Sequence, residues 1–196
     1  FTFKVSDGSV YSSAGGTMTI NVTAVDDAPT VANEITNVTV DEDGSNTTID
    51  LSSVFTDVDN NDNNISKSIT GNSPSGKISG SISGNSLILD YQENKNGDVS
   101  ITITGTSNGL TVTETFTVTI NSVNDTPTAN TQTVTVNEDT EVTITLSGSD
   151  GDGDDLSYKI STLPSNGTLY QTSDGSTKGS AISSTPTTIS DNNRRL

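Results

Sequence analysis

Val25-Asp26-Asp27-Ala28-Pro29-Thr30 returns 98 residues on as Val123-Asn124-Asp125-Thr126-Pro127-Thr128. That interval is about the length of one immunoglobulin-sized β-sandwich, so the chain reads as a tandem array. Two more signals follow each copy in the same order. Val40-Asp41-Glu42-Asp43 comes after the first and Val136-Asn137-Glu138-Asp139 after the second. Thr56-Asp57-Val58-Asp59-Asn60 is then matched by Ser149-Asp150-Gly151-Asp152-Gly153-Asp154. Turn chemistry alone explains Asp, Asn, Gly and Pro at a single junction; it does not explain three matches in one order.

Periodicity predicts an all-β chain of tandem immunoglobulin- or cadherin-like Greek-key sandwiches, with the first and last units truncated. Between linkers at 25–30 and 123–128, residues 31–122 supply seven short strands with alternating apolar positions. These pass through Val38 and Val40, Ile49 and Leu51, Ile65 to Ile69, Ile78 to Ile82, Leu87 to Tyr91, Val99 to Ile103, and Phe116 to Ile120. Gly84-Asn85 and Asn108-Gly109 mark hairpins. Val38, Ile49, Leu51, Ile101, Ile103, Phe116 and Val118 are expected inside. Residues 1–24 read as the last two strands of a unit, half-buried through Phe1, Phe3 and Val5 and through Met18, Ile20 and Val22. Residues 129–196 read as the first four or five strands of another, through Val134, Val136, Val142, Ile144, Leu146, Leu156, Tyr158 and Ile160. A cut from a longer polypeptide is the expected origin of such ends.

Composition narrows the function classes. Lys and Arg number 8 against 25 Asp and Glu, a formal net charge of -17, which repels nucleic acid and anionic membranes and leaves cations as natural partners. Histidine and cysteine are absent, removing the commonest general base, the usual triad partner and all thiolate chemistry. No apolar run approaches the roughly 18 residues of a membrane span. A carboxylate pair such as Asp57 and Asp59 also serves glycoside hydrolysis, but nothing in the sequence marks a substrate cleft; no enzyme is expected.

Hard divalent cations take six to eight oxygen ligands, and a junction between sandwiches collects them from a linker, a strand end and a loop. For the first junction the expected set is Asp26 or Asp27, Glu42 or Asp43, Asp57 and Asp59. An EF-hand is excluded. Asp150, Asp152 and Asp154 have its 1, 3, 5 spacing, but Asp155 stands where the turn needs Gly and Ser161 where a bidentate Glu closes the site.

At these residues the chain resembles the cadherin-like tandem repeats of large bacterial secreted and surface proteins, of adhesin type. Asp26-Asp27 and Asn124-Asp125 resemble the Asn-Asp of the cadherin linker. Asp57-Val58-Asp59, with Asp150 and Asp152 in the third section, resembles its Asp-x-Asp element. Leu89-Asp90-Tyr91-Gln92-Glu93 resembles a lengthened Leu-Asp-Arg-Glu element, which implies Asp90 and Glu93 as ligands at the following junction. With Asn124, Asp125, Glu138 and Asp139, these complete the implied ligand set. Ala24 and Ser122 stand where the family's linker opens with another Asp, so one or two Ca2+ ions per junction are expected.

The resemblance implies a calcium-stiffened spacer and adhesion segment, extracellular or on the cell surface, whose partners are neighbouring repeats, with cell-surface glycans or proteins as further candidates. The alternative is a carbohydrate-binding module accessory to a polysaccharide-degrading enzyme, for which Tyr11, Tyr91 and Tyr170 are candidate platforms; an edge-of-core place is expected for each. The open strand edges predict that residues 1–24 of one molecule complete residues 129–196 of another.

Overall fold

The computed structural model describes all 196 residues. Apart from one 3-10 turn at Asp62–Asn64, its regular structure is entirely β. In the first section β1 (Thr2–Phe3) and β2 (Gly16–Thr17) pair antiparallel, with Thr2 opposite Thr17 and Phe3 opposite Gly16. The expected half-burial does not hold. Met18, Ile20 and Val22 lie outside any ladder and are 49%, 70% and 88% exposed. Alternation gives a segment an apolar face, but burial needs a second layer, and none covers this hairpin. Tyr11, 72% exposed, is likewise not at the edge of a core.

The middle section is a complete sandwich. Its strands are β3 (Thr30–Val31), β4 (Val38–Asp41), β5 (Thr47–Asp50), β6 (Phe55–Thr56), β7 (Ser66–Ser73), β8 (Ile78–Ser83), β9 (Ser86–Tyr91), β10 (Gly97–Ser107) and β11 (Leu110–Asn121). One sheet has the order β4-β11-β10-β7 and the facing sheet β5-β9-β8. The chain changes sheets between β4 and β5, β5 and β7, β7 and β8, and β9 and β10, a Greek-key path of immunoglobulin type. All seven expected strands are present. The β3–β6 pair, two residues on each side, is additional and too short for alternation to reveal.

Two features fix the register. Asn108 and Gly109 both have positive φ, 46° and 88°, as the tight β10–β11 turn requires. β4 lies parallel to β11, with Val38 opposite Val118 and Val40 opposite Ile120; every other strand pairing is antiparallel. The core between the sheets includes Leu51, Phe55, Leu87, Leu89, Val99, Ile101, Ile103, Phe116, Val118 and Ile120, each fully buried aliphatic side chain stabilising by about 1.5–3 kcal/mol. Val38 and Ile49, expected inside, are half-buried against it. Gly105 lies under the Phe55 ring, where a Cβ would come within 2.8 Å of the aromatic carbons.

The third section carries only two-residue ladders, β12 (Thr128–Ala129) with β13 (Gly148–Ser149) and β14 (Lys159–Ile160) with β15 (Thr187–Thr188), plus the bridges Thr145 to Arg195 and Tyr170 to Ala181. The expected strand through Val134 and Val136 forms no ladder, and Val134, Val136 and Val142 are exposed. Polar anchors order the end of the chain instead. The Arg195 guanidinium bonds the buried Asp191 carboxylate at 2.8 Å and holds it below the usual carboxylate range.

Candidate functional site

The loop after β6 is shaped by its own carboxylates. Asp57 Oδ1 accepts from the amides of Asp59 and Asn60, each at 2.9 Å, while the Asp62 carboxylate accepts from the Asp57 amide and the Thr56 hydroxyl. Side-chain caps of this kind let Asp nucleate turns. The Ser107 hydroxyl first, then the Asp59 and Asn60 amides, hold Asp57 below the ordinary carboxylate range although it is buried. Its Oδ2 has no hydrogen-bond partner. The linker closes on this loop: the Asp27 amide donates to Asp59 Oδ2 at 2.8 Å, and Asp26 accepts from Asn60 Nδ2 at 2.8 Å and from Asn108 Nδ2 at 3.1 Å. Asp26, Asp27, Asp57 and Asp59 thus gather at the first junction.

The second junction repeats the arrangement. Asp150 Oδ1 accepts from the Asp152 amide at 3.0 Å, and the Asp125 amide donates to Asp152 Oδ2 at 2.6 Å. Asp150, Asp152 and Asp154 hold a carboxylate oxygen each within 4.8 Å of one another. From the preceding sandwich comes Glu42, buried, whose Oε1 accepts from the Val123 amide at 2.9 Å and whose two oxygens face Asn96 Nδ2 at 3.5 Å. Asp43, at φ 59°, accepts from the Asn94 amide at 3.1 Å. Burial first, then the charges of Asp43, Asp152, Glu42 and Asp150, raise the Asp125 carboxyl above its ordinary value. Its Oδ2 is buried without a partner and pressed against Gly151, where any Cβ would collide with it.

Glu42 and Asp43 therefore belong to the second junction and not, as expected, to the first. The cause is the extended path of the chain: the dozen residues from β3 to Glu42 advance up to roughly 3.3 Å each and carry the carboxylate the length of the sandwich. There the Glu42 amide bonds the Asn121 carbonyl at 2.9 Å, extending the β4–β11 ladder into the linker. Glu93 reaches the same end, lining a cavity of about 410 Å³ with Asp43, Gly44, Tyr91 and Asn94. Asp90 does not; it is exposed on β9, alternating with buried Leu89 and Tyr91. Asn124 is exposed and turns its amide to the Asp125 carbonyl at 2.7 Å. Glu138 and Asp139 are exposed, although Asp139 repeats the φ of 59° seen at Asp43. Sequence reasoning missed Asn60, Asn94, Asn96 and Asn108, because Asn in a loop reads as a turn former.

The aromatic platforms a sugar would need are mostly covered. Tyr91 is buried with its hydroxyl on Thr47 at 2.7 Å, Tyr170 is capped by Lys178 at 4.1 Å from the ring centre, and Tyr158 by Arg194 at 5.7 Å. Tyr11 is the open tyrosine, in a section whose two phenylalanines, Phe1 and Phe3, are also exposed.

Residues 124–193 match the bacterial Ig domain family. No curated protein matches the chain. Among solved structures, an endo-fucoidan hydrolase of glycoside hydrolase family 107 is similar at 12% identity and a TM-score of 0.41, over 76% of this chain and 23% of that one. The human desmocollin-1 ectodomain is similar at 16% identity and a TM-score of 0.39, over 81% of this chain and 34% of that one. The chain thus spans about a third or less of each.

Proposed function

We propose that this chain is a non-catalytic segment of an exported bacterial protein in which calcium, bound at the junctions, fixes successive sandwiches as a stiff spacer for adhesion. The observation that carries the reading is Asp125. Its Oδ2 is buried with no hydrogen-bond partner, amid carboxylates from the sandwich before it, Glu42 and Asp43, and from the section after it, Asp150 and Asp152. Neither salt bridge of the chain involves any of these five. Glu42 is buried and Asp125 half-buried; like charges gathered around them without a counter-ion are costly, and oxygen ligands of this kind suit a hard cation. The residues present fit such an ion: carboxylate oxygens of Glu42, Asp43, Asp125, Asp150 and Asp152 supply the donors, with no imidazole or thiolate among them. At the first junction the unpartnered Oδ2 of buried Asp57 supplies the same need.

Calorimetric titration with calcium tests the proposal, with dissociation constants expected on the order of 10⁻⁴ to 10⁻³ M, as in extracellular modules. At a hundredfold excess over Kd, binding stabilises the folded chain by about 2.7 kcal/mol. Small-angle scattering should show a straighter particle with calcium than with chelator. Loss of neither heat nor stabilisation in Asp125→Asn plus Asp152→Asn would overturn the assignment.

A further inference from the structure

The two junctions differ in residue type at two matching places: Asp26 against Asn124 in the linkers, and Asn60 against Gly153 in the loops that follow. Both differences fall on hydrogen bonds. Asn60 Nδ2 donates to Asp26 Oδ1 at 2.8 Å and to Asp57 Oδ1 at 3.3 Å, and Asn108 Nδ2 donates to Asp26 Oδ2 at 3.1 Å. One linker carboxylate is thus held on both oxygens, by a loop amide on one side and a hairpin-turn amide on the other. At the second junction Asn124 spends its amide on the Asp125 carbonyl, and Gly153 has no side chain to offer. No side-chain amide from either section donates to that linker; Asn96, the one bonded to a carboxylate there, lies 3.5 Å from both Glu42 oxygens. The prolines record the same difference, since Pro29 is buried and Pro127 exposed.

We infer that Asn60 and Asn108 latch the first linker onto the middle sandwich with or without a cation, whereas the second linker closes firmly only on one; the second half rests on the calcium reading above. Hydrogen bonds to an ionised acceptor are the strong ones, and two amide donors offset the charge of Asp26 beside Asp57 and Asp59. The second linker has a weaker hold. Its Asp125 amide reaches Asp152 and its Val123 amide reaches Glu42, but these backbone donors bring Glu42, Asp43, Asp125, Asp150 and Asp152 together with no side-chain donor on Asp125. Like charges then oppose closure until a cation enters. Two residue positions per repeat therefore decide which joint of the array yields when calcium is scarce.

Amide hydrogen exchange, followed by NMR on the full chain, reads the latch directly, because the Asp27 and Asp125 amides make matching bonds to Asp59 and Asp152. In chelator Asp27 should be protected roughly tenfold more than Asp125, each taken relative to its intrinsic rate. Calcium should slow Asp125 and change Asp27 little. Asn60→Ala plus Asn108→Gly removes both donors, the glycine tolerating the positive φ of 46° at the turn. In that variant Asp27 should behave as Asp125 does, fast in chelator and slowed by calcium, while the core amides of Ile101 and Val118 keep their protection and report an intact fold. Equal protection of Asp27 and Asp125 in chelator, or an Asp27 amide unaffected by the two substitutions, would overturn the inference. A protected Asp27 in a chain that gives no calcium heat would support the latch and sink the calcium reading alone.

Discussion

The Asp125 amide donates to Asp152 Oδ2 at 2.6 Å, and the Asp27 amide donates to Asp59 Oδ2 at 2.8 Å. The same linker position thus closes on the same loop position at both junctions. In each loop the first Asp accepts the amide of the second, at 2.9 Å for Asp57 and 3.0 Å for Asp150. A linker held by its own backbone is pre-organised, and an ion arriving there has less chain to order.

Glu42 separates the two junctions experimentally. Glu42→Gln should weaken calcium binding at the second junction and leave the first unchanged, while Asp57→Asn plus Asp59→Asn should do the reverse. Two-site calorimetric titration of both variants checks this. Loss of the first-junction signal in Glu42→Gln would restore the assignment expected from sequence.

Gly151→Ala changes no charge but places a methyl group where the Asp125 carboxylate lies. Weaker calcium binding at the second junction is expected, with the unfolding of the middle sandwich unaltered. An unchanged isotherm would mean that the Asp125 carboxylate is not a ligand.

Core packing is tested by denaturant unfolding. Phe116→Ala should cost about 3–5 kcal/mol as a large-to-small change, and Gly105→Ala about 1–3 kcal/mol by overpacking against the Phe55 ring. Met18→Ala should stay within about 0.5 kcal/mol, as exposed positions do.

Carboxyl titration followed by carbon NMR in chelator should place Asp125 above and Asp57 below the ordinary Asp midpoint. The signs for stability are opposite. Asp125, raised in the folded state, favours folding most when protonated, and that contribution is lost as pH rises through its folded value. Asp57, depressed, contributes above the ordinary Asp value, and its share is lost as pH falls through the folded one. Calcium should draw the Asp125 midpoint down; an unmoved midpoint would place the ion elsewhere.

Legibility in the sequence followed the availability of a second layer. In the middle section alternating residues such as Ile101, Ile103 and Val118 met a facing sheet and are buried. In residues 1–24 Ile20 and Val22 have the same alternation, but no facing layer, and are exposed. The Asp-x-Asp loops were readable because their function lies in local turn chemistry. The place of Glu42 was not, because a carboxylate sixteen residues from Asp26 along the sequence stands at the other pole of the sandwich, and only the run of β4 beside β11 reveals it. The asparagine amides were hidden for another reason: Asn94 and Asn108 matter by where their backbones bend, at φ 54° and 46°.

The parallel alignment of β4 and β11 governs how the middle section withstands tension. The linkers enter and leave at opposite ends, so pulling on them draws β4 and β11 past each other along their length. The ladder from Val38–Val118 to Asp41–Asn121 is then loaded in shear, and its bonds must yield together instead of unzipping one by one. Resistance to extraction is thereby set by an unfolding rate. The Glu42 bonds to Asn121 and Val123 lie at the end of that clamp, where an ion held by Glu42 would raise the rupture threshold.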